Sequence, residues 1–403
     1  MESLLEESKQ TKLRKVGFAH DNFMLLHENY DYYHSERPSR IMSIYQHLEN
    51  CGLIDRCVKV DCPHAEIDQL LRVHTKEHIA KVDATKYSEY VKQNGEKEVK
   101  PTQGKHVQYL TSDTYCNKHT ADCALMAAGA SVECCDKMFM YYQCDSVFAA
   151  IRPPGHHADE GNIQGFCFFN NAAVAAQHLI DEYGLKKVLI FDWDVHFGDG
   201  TSKIFYKSDQ VLYVSIHRYD QGQFYPGEVG SPKYIGEGKG EGYNINFGYD
   251  WTRSESKVGD MEFIYACQSI LFPIIKEFGP EAIIISCGFD SAEGDQVGQA
   301  GVSPAGFAWM TYGLMKNCEK VIALLEGGYN LKSLAVSSES VLETLFVNKE
   351  EEFNKLLSKL AGSDITYDIM ADQSQKLANS NVREVSNTLK ELLKNNWKCL
   401  KSD

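Results

Sequence analysis

The stretch Leu189-Ile190-Phe191-Asp192-Trp193-Asp194-Val195-His196-Phe197-Gly198-Asp199-Gly200 decides how this chain is read. Its apolar lead-in, Val188 to Phe191, has the length and β-branched content of a buried strand. Acids and a histidine then take alternate positions. In an extended backbone alternate side chains share a face, so Asp192, Asp194 and His196 are expected to project the same way. Two carboxylates and an imidazole on one face suit a borderline divalent metal such as zinc. Gly198 and Gly200 let the chain turn sharply afterwards. A strand end running into an ordinary polar turn has the same local signature, so the rest of the chain has to decide.

Working outward, apolar runs of strand length recur at 15–20, 146–151, 211–217, 281–286 and 321–325. Helical spacing marks 41–50, 67–82, 120–142, 171–183, 261–278 and 303–316. Gly184 closes one of these helices, and Ser303-Pro304 opens another. Strands alternating with helices imply parallel β–α units. The expected fold is α/β: a single domain with a central, mostly parallel sheet flanked by helices. Several strands end in a polar, glycine-containing turn, carrying His156-His157, Asp192/Asp194/His196, Asp290 and Tyr329. Ligands bind at the carboxyl ends of strands in such sheets, which places the active site on that edge. Segments 21–40 and 221–242 read as long loops, and 86–104 as a charged surface insertion. Residues 1–14 read as a polar leader, 15–375 as the catalytic domain, and 376–403 as a helical C-terminal extension packed on or flanking it.

The 403 residues carry a formal net charge of -15, which disfavours nucleic-acid binding by the protein's own surface. Basic partners suit that surface better. The 13 cysteines lack paired spacing, and the charged opening Met1 to Lys9 has no secretory pattern. Free thiols in the nucleus or cytoplasm are expected. No apolar run approaches the roughly 20 residues of a membrane span.

The strand-end residues suggest a division of labour. Asp194, His196 and Asp290 make three protein ligands with open positions, the pattern of a catalytic metal; Asp290 could equally cap a following helix. Asp192, with Ser215 and the Ile216 carbonyl on the next strand, could hold a monovalent cation, or it could orient His156. His156 and His157 follow a stiff Pro153-Pro154 loop and suit proton transfer, each with a carboxylate behind it from Asp192 or Asp199. Phe166 and Tyr225 sit on loops and could wall an apolar channel. Tyr329, after two glycines, could donate to an oxyanion, or be a plain turn tyrosine.

Taken together, Arg152-Pro153-Pro154-Gly155-His156-His157-Ala158, Gly165-Phe166-Cys167-Phe168-Phe169-Asn170-Asn171, Asp192-Trp193-Asp194-Val195-His196, Cys287-Gly288-Phe289-Asp290 and Leu325-Glu326-Gly327-Gly328-Tyr329 resemble the zinc-dependent histone deacetylase family of the arginase–deacetylase fold. Ile216-His217-Arg218-Tyr219-Asp220 looks like class II. The resemblance runs from about residue 15 to about residue 345. It implies one catalytic zinc on Asp194, His196 and Asp290. It also implies one or two structural potassium ions, held by Asp192, Asp194, His196, Ser215 and Ile216. His157 backed by Asp199 would be the general base, His156 backed by Asp192 an electrostatic aid, and Tyr329 the oxyanion donor. Gly165, Phe166 and Tyr225 would shape the acyl-lysine tunnel, and Asp113 would accept a hydrogen bond from substrate backbone. The implied reaction is hydrolysis of the acetyl amide on lysine side chains of proteins, within a regulatory complex. A deacylase of acetylated polyamines or other small amides, or an inactive acetyl-lysine-binding scaffold, are the alternatives.

The chain departs from the family pattern in places. Phe197 replaces a second histidine and is expected to point away from the metal. Asp199 replaces the amide of many class II members. His34-Ser35-Glu36 replaces His-Pro-Glu, which is expected to loosen a loop at the tunnel mouth. Val297 replaces the acidic gatekeeper of the polyamine-selective subgroup.

Overall fold

A computed structural model describes residues 13–90, 107–253 and 257–401. Residues 1–12 of the expected leader and 91–104 of the expected insertion lie outside it. The strands are β1 (Val16–Ala19), β2 (Val58–Val60), β3 (Gln108–Tyr109), β4 (Tyr115–Cys116), β5 (Ser146–Ala149), β6 (Val188–Asp192), β7 (Val211–Arg218), β8 (Asn244–Tyr249), β9 (Ala282–Cys287) and β10 (Val321–Leu325). Eight of them form one sheet in the order β2-β1-β5-β10-β9-β6-β7-β8. Every neighbouring pair in it runs parallel. β3 and β4 make a separate antiparallel pair.

The helices are α1 (Ser39–Asn50), α2 (Ile67–Leu71), α3 (Lys76–Asp83), α4 (Thr120–Phe139), α5 (Asn171–Tyr183), α6 (Asp199–Phe205), α7 (Asp260–Ala266), α8 (Phe272–Phe278), α9 (Pro304–Met315), α10 (Leu331–Leu345), α11 (Glu350–Ala361), α12 (Tyr367–Leu377) and α13 (Ser380–Leu393). α4 and α5 pack together, α4 against β1, β5 and β10 and α5 against β6 and β9. α1, α9 and α10 form a second packed group that reaches the sheet through α10 and β5. α13 lies on β8, and the Trp397 indole N–H donates to the Gly242 carbonyl at 3.0 Å. Burial on both faces explains why β6, β9 and β10 are almost wholly apolar rather than alternating. The expected α/β fold, with a parallel sheet flanked by helices, is the observed one.

Local differences have physical causes. The helical pattern over 67–82 divides into α2 and α3, because Thr75 caps α3 by accepting from the His78 N–H at 3.1 Å. The pattern over 261–278 is interrupted by a π turn at Cys267–Leu271, just before Pro273, which cannot donate a helical hydrogen bond. Strands β2 and β8 were not legible: β2 has three residues, and β8 carries Asn244, Asn246 and Gly248 among its apolar side chains. α6 was likewise unexpected; its first residue is Asp199, whose carboxylate suits a helix N-terminus.

The common-face reading of Asp192, Asp194 and His196 fails beyond Asp192, where β6 ends. The chain bends over 194–196, and the His196 N–H donates to Asp194 Oδ1 at 2.9 Å. Alternation therefore does not apply, and a tight turn delivers both side chains to the sheet edge.

At the sheet centre β9 is fully buried between β10 and β6. Ile284→Ala is expected to destabilise the protein by about 2–5 kcal/mol. A urea unfolding midpoint equal to that of the parent would contradict this placement of the core.

Candidate active site

The strands deliver polar side chains to the carboxyl edge of the sheet. β5 runs into the loop holding His156 and His157, and β6 into the turn with Asp194 and His196. The turn after β9 holds Asp290, and the link from β10 to α10 holds Tyr329. One cavity of about 300 Å³ is lined by His156, His157, His196 and Tyr329, with Gly165, Phe166, Tyr225, Asp113 and Val297 toward the mouth. Ser215 and Ile216 are not in that lining; they lie on β7, with Ser215 paired in register to Asp192.

Asp194, His196 and Asp290 present ligand atoms within 4.8 Å of one another. The His196 Nδ1 lies 3.1 Å from Asp194 Oδ1 and 3.1 Å from Asp290 Oδ2. Both carboxylates are fully buried. Burial and the Asp194 charge push the Asp290 carboxyl up to about 7. Burial opposes a charged His196 ring, yet the two carboxylates outweigh it and hold the imidazole at about 9. Buried acids facing one another demand a compensating cation. Two oxygens and one ring nitrogen form a donor set that fits a divalent metal of the zinc class. No helix starts at Asp290; its Oδ1 instead accepts from the Val195 N–H at 2.8 Å.

Behind this cluster stand two imidazole–carboxylate pairs. His157 Nδ1 lies 2.7 Å from Asp199 Oδ1, and His156 Nδ1 lies 3.0 Å from Asp192 Oδ2. A carboxylate acceptor fixes the proton on Nδ1 and leaves Nε2 free to accept. Burial, and then the neighbouring His156 charge, lower the His157 imidazole to about 4 against the pull of Asp199. Burial disfavours the His156 cation too, but Asp194 and Asp192 raise it well above its ordinary value. Two adjacent histidines thus have opposite charge preferences, as a base paired with an electrostatic partner requires. Burial and the Asp290 charge keep the Tyr329 phenol protonated and able to donate.

The cavity walls are aromatic. Phe166 stands edge-on to Tyr329 at 6.0 Å between ring centroids, and Tyr225 edge-on to His157 at 5.0 Å. Phe166 holds φ 69, an uncommon left-handed backbone for a bulky residue. Gly165 before it has φ 54, and a Cβ there would collide with the His157 ring. Asp113 sits at the mouth, its Oδ1 accepting from the Thr111 and Thr114 hydroxyls at 2.6 and 2.9 Å. Phe197 is turned away, packed against Tyr213 and His217.

Several residues that hold the site were missed. The Tyr213 hydroxyl donates to Asp192 Oδ2 at 2.9 Å. Asp295 Oδ2 accepts from the backbone N–H groups of Tyr329 and Asn330 at 2.7 and 3.0 Å. Glu326 Oε2 accepts from the N–H groups of Gly155 and His156 at 2.7 and 3.1 Å. Arg152 grips Glu36 through two bonds of 2.8 and 2.6 Å, and Arg40 reaches the same carboxylate at 3.1 Å. Arg40 also donates to the carbonyls of Glu326 and Gly328. The mouth loop at 34–36 is therefore pinned rather than loosened: Glu36 is fully buried, and His34 bridges the Glu36 and Asp113 carbonyls. Several of these partners lie far apart in the chain, Glu36 and Arg152 by 116 residues and Gly155 and Glu326 by 171, so no spacing signal announces them.

Residues 34–345 match the histone deacetylase domain family. Histone deacetylase 15 of Arabidopsis thaliana is 40% identical over 349 residues, covering 85% of this chain and 58% of that protein. Histone deacetylase HDA1 of Saccharomyces cerevisiae is 36% identical over 368 residues, covering 85% of this chain and 50% of that protein. The chain spans about half the length of the curated relatives it matches. The solved HDA15 HD domain aligns with a TM-score of 0.80 at 34% identity, covering 96% of each chain.

Burial alone would raise the Glu36 carboxyl, but Arg152, with His27 and Arg40, outweighs it and holds Glu36 well below the usual carboxylate range. Below the unfolded-state value of about 4.3 the unfolded chain takes up a proton that the folded chain refuses, so this stabilisation is present above that pH and lost as pH falls. Glu36→Gln, which leaves Arg152 unpaired, is expected to cost about 3–5 kcal/mol at neutral pH. The gap between the variant and the parent should narrow in urea unfolding below about pH 4. An equal gap at every pH would remove Glu36 as the titrating group.

Proposed function

This chain belongs to the histone deacetylase family, and we propose that it hydrolyses the acetyl amide on lysine side chains of proteins, as a class II-like member that uses zinc. The observation that carries this reading is one cavity lined by His156, His157, His196 and the half-buried Tyr329 between aromatic walls, with Asp194 and Asp290 grouped behind His196 and a carboxylate behind each of the two histidines. The cavity suits a long aliphatic stem ending in a small amide.

Zinc bound by Asp194, His196 and Asp290 supplies a Lewis acid for the amide carbonyl and lowers the pKa of water. The residues of the chain do the rest. Phe166 and Tyr225 hold the lysine stem, and Gly165 leaves room beside the His157 ring. Asp113 at the mouth accepts a backbone N–H of the substrate. His157 Nε2 takes the proton of the attacking water while Asp199 steadies Nδ1–H, and His157 then returns that proton to the leaving amine. His156, held by Asp192, offsets negative charge beside it. Tyr329 donates its hydroxyl proton to the oxygen that gains charge. Asp192, Asp194, His196, Ser215 and Ile216 would hold one or two potassium ions behind the metal turn; the Ser215 hydroxyl, 2.8 Å from His217 Nδ1, keeps lone pairs for such an ion.

The boundary expected at 375/376 falls inside α12, and Arg14 of the expected leader donates to the Leu345 carbonyl at 3.0 Å, so the deacetylase domain is taken to run through the described residues from 13 to 401. Its partners are acetylated proteins and a regulatory complex in the nucleus or cytoplasm. No helix among the described residues is long and apolar enough to cross a membrane. Val297, apolar and 36% exposed at the mouth, supplies no charge for a polyamine cation.

Acetate release from acetyl-lysine peptides is expected, to be abolished by a chelator and restored by zinc. No release from the metal-loaded protein, or faster turnover of N-acetylpolyamines, would overturn this reading. Tyr329→Phe is expected to lower kcat by about 10²–10³ with little change in unfolding midpoint. His157→Ala should remove at least about 10² in kcat, a general-base contribution; a variant retaining full rate would place the base elsewhere.

A further inference from the structure

A second set of metal-type donors lies away from the active site. His47 is in the last turn of α1, and Cys51 caps that helix. Residues four apart share a helix face, so both side chains point the same way. α10 packs along α1 and brings Glu339 up to them. The His47 Nε2 is 2.6 Å from Glu339 Oε2, and the Cys51 Sγ is 3.9 Å from His47 Nε2. All three ligand atoms fall within 4.8 Å of one another.

We propose that His47, Cys51 and Glu339 form a second metal site, specific for a thiophilic divalent cation of the zinc class, that clips α1 to α10. One thiolate, one imidazole and one carboxylate make a mixed donor set that hard cations such as magnesium do not favour. A tetrahedral ion with bonds of about 2.0–2.3 Å needs its ligand atoms about 3.3–3.7 Å apart. The sulfur–nitrogen separation is already close to that. The shorter nitrogen–oxygen contact holds a proton and has to open by about 0.7 Å, within reach of two partly exposed side chains. Binding displaces the Cys51 thiol proton to solvent and moves the His47 ring proton from Nε2 to Nδ1. Cys51 is exposed, so the fourth position is open to water.

The location links this site to the catalytic edge. α1 begins beside Arg40, which bonds the Glu326 and Gly328 carbonyls, and α10 begins directly after Tyr329-Asn330. A cation joining the last turn of α1 to the middle of α10 therefore restrains both supports of the tyrosine turn.

Cobalt titration of the full chain, with its active site already loaded with zinc, tests the proposal independently of the deacetylase reading. The active-site donors contain no sulfur, so thiolate-to-cobalt charge-transfer absorption reports only a cysteine site. The parent is expected to bind one further equivalent with that absorption. Cys51→Ala should lack it and keep its rate of acetate release, and Glu339→Gln should weaken cobalt binding at least tenfold. As a second readout in case Cys51→Ala misfolds, zinc should slow alkylation of Cys51 in the parent and not in Glu339→Gln. No thiolate absorption in the parent, equal absorption in Cys51→Ala, or alkylation indifferent to zinc would overturn it.

Discussion

Buried carboxylates bonded to the backbone of neighbouring turns tie the catalytic edge together. Asp194 accepts from the Gly327 N–H at 2.7 Å, and Asp290 accepts from Val195 N–H at 2.8 Å. Glu326 holds the backbone of Gly155 and His156, and Asp295 holds that of Tyr329. Each bond crosses between turns that follow different strands. An ionised carboxylate is a strong acceptor, and in a dry interior it cannot exchange a backbone donor for water. The loops therefore hold their shape without regular secondary structure.

Such an edge concentrates negative charge in a medium that resists it. The compensation comes from two directions. Arg152 and Arg40 stand behind the turns, paired with Glu36 and bonded to backbone carbonyls. In front, Asp194 and Asp290 face His196, with the His156 ring 3.9 Å from Asp194, and buried acids crowded in this way make a metal ion the natural occupant. Unequal surroundings also separate the two adjacent histidines: His156 lies among acids, while His157 has one carboxylate and a charged neighbour. One chemical type thus acquires two roles through position alone.

Much of this was legible from the chain. The apolar run 188–191 ended where β6 ends but for one residue, and Gly184 and Ser303 marked helix ends correctly. Every residue expected around the metal cluster and the tunnel reaches the cavity or touches its lining, apart from the Ser215 and Ile216 pair on β7. The residues to which the chain alone assigned no role, Glu36, Arg40, Arg152, Tyr213, Asp295 and Glu326, act on partners brought in by the fold or on backbone atoms. Neither kind of contact leaves a periodic trace. The strand common-face rule also misled at 194–196, because it holds only while the backbone stays extended.

What the sequence determined by itself was the kind of building unit and its chemistry. Apolar runs of strand length alternating with helices specify parallel β–α units, and their polar ends name the donors. Only the tertiary structure decided which donors meet. β5 lies beside β10, β10 beside β9, and β9 beside β6, an order that chain sequence does not follow. That order puts His156, His196 and Tyr329 in one cavity, with Asp194 and Asp290 behind His196, and sets α1 against α10. Pattern reports the local environment of each residue, whereas adjacency across the sheet is fixed by packing every apolar face at once.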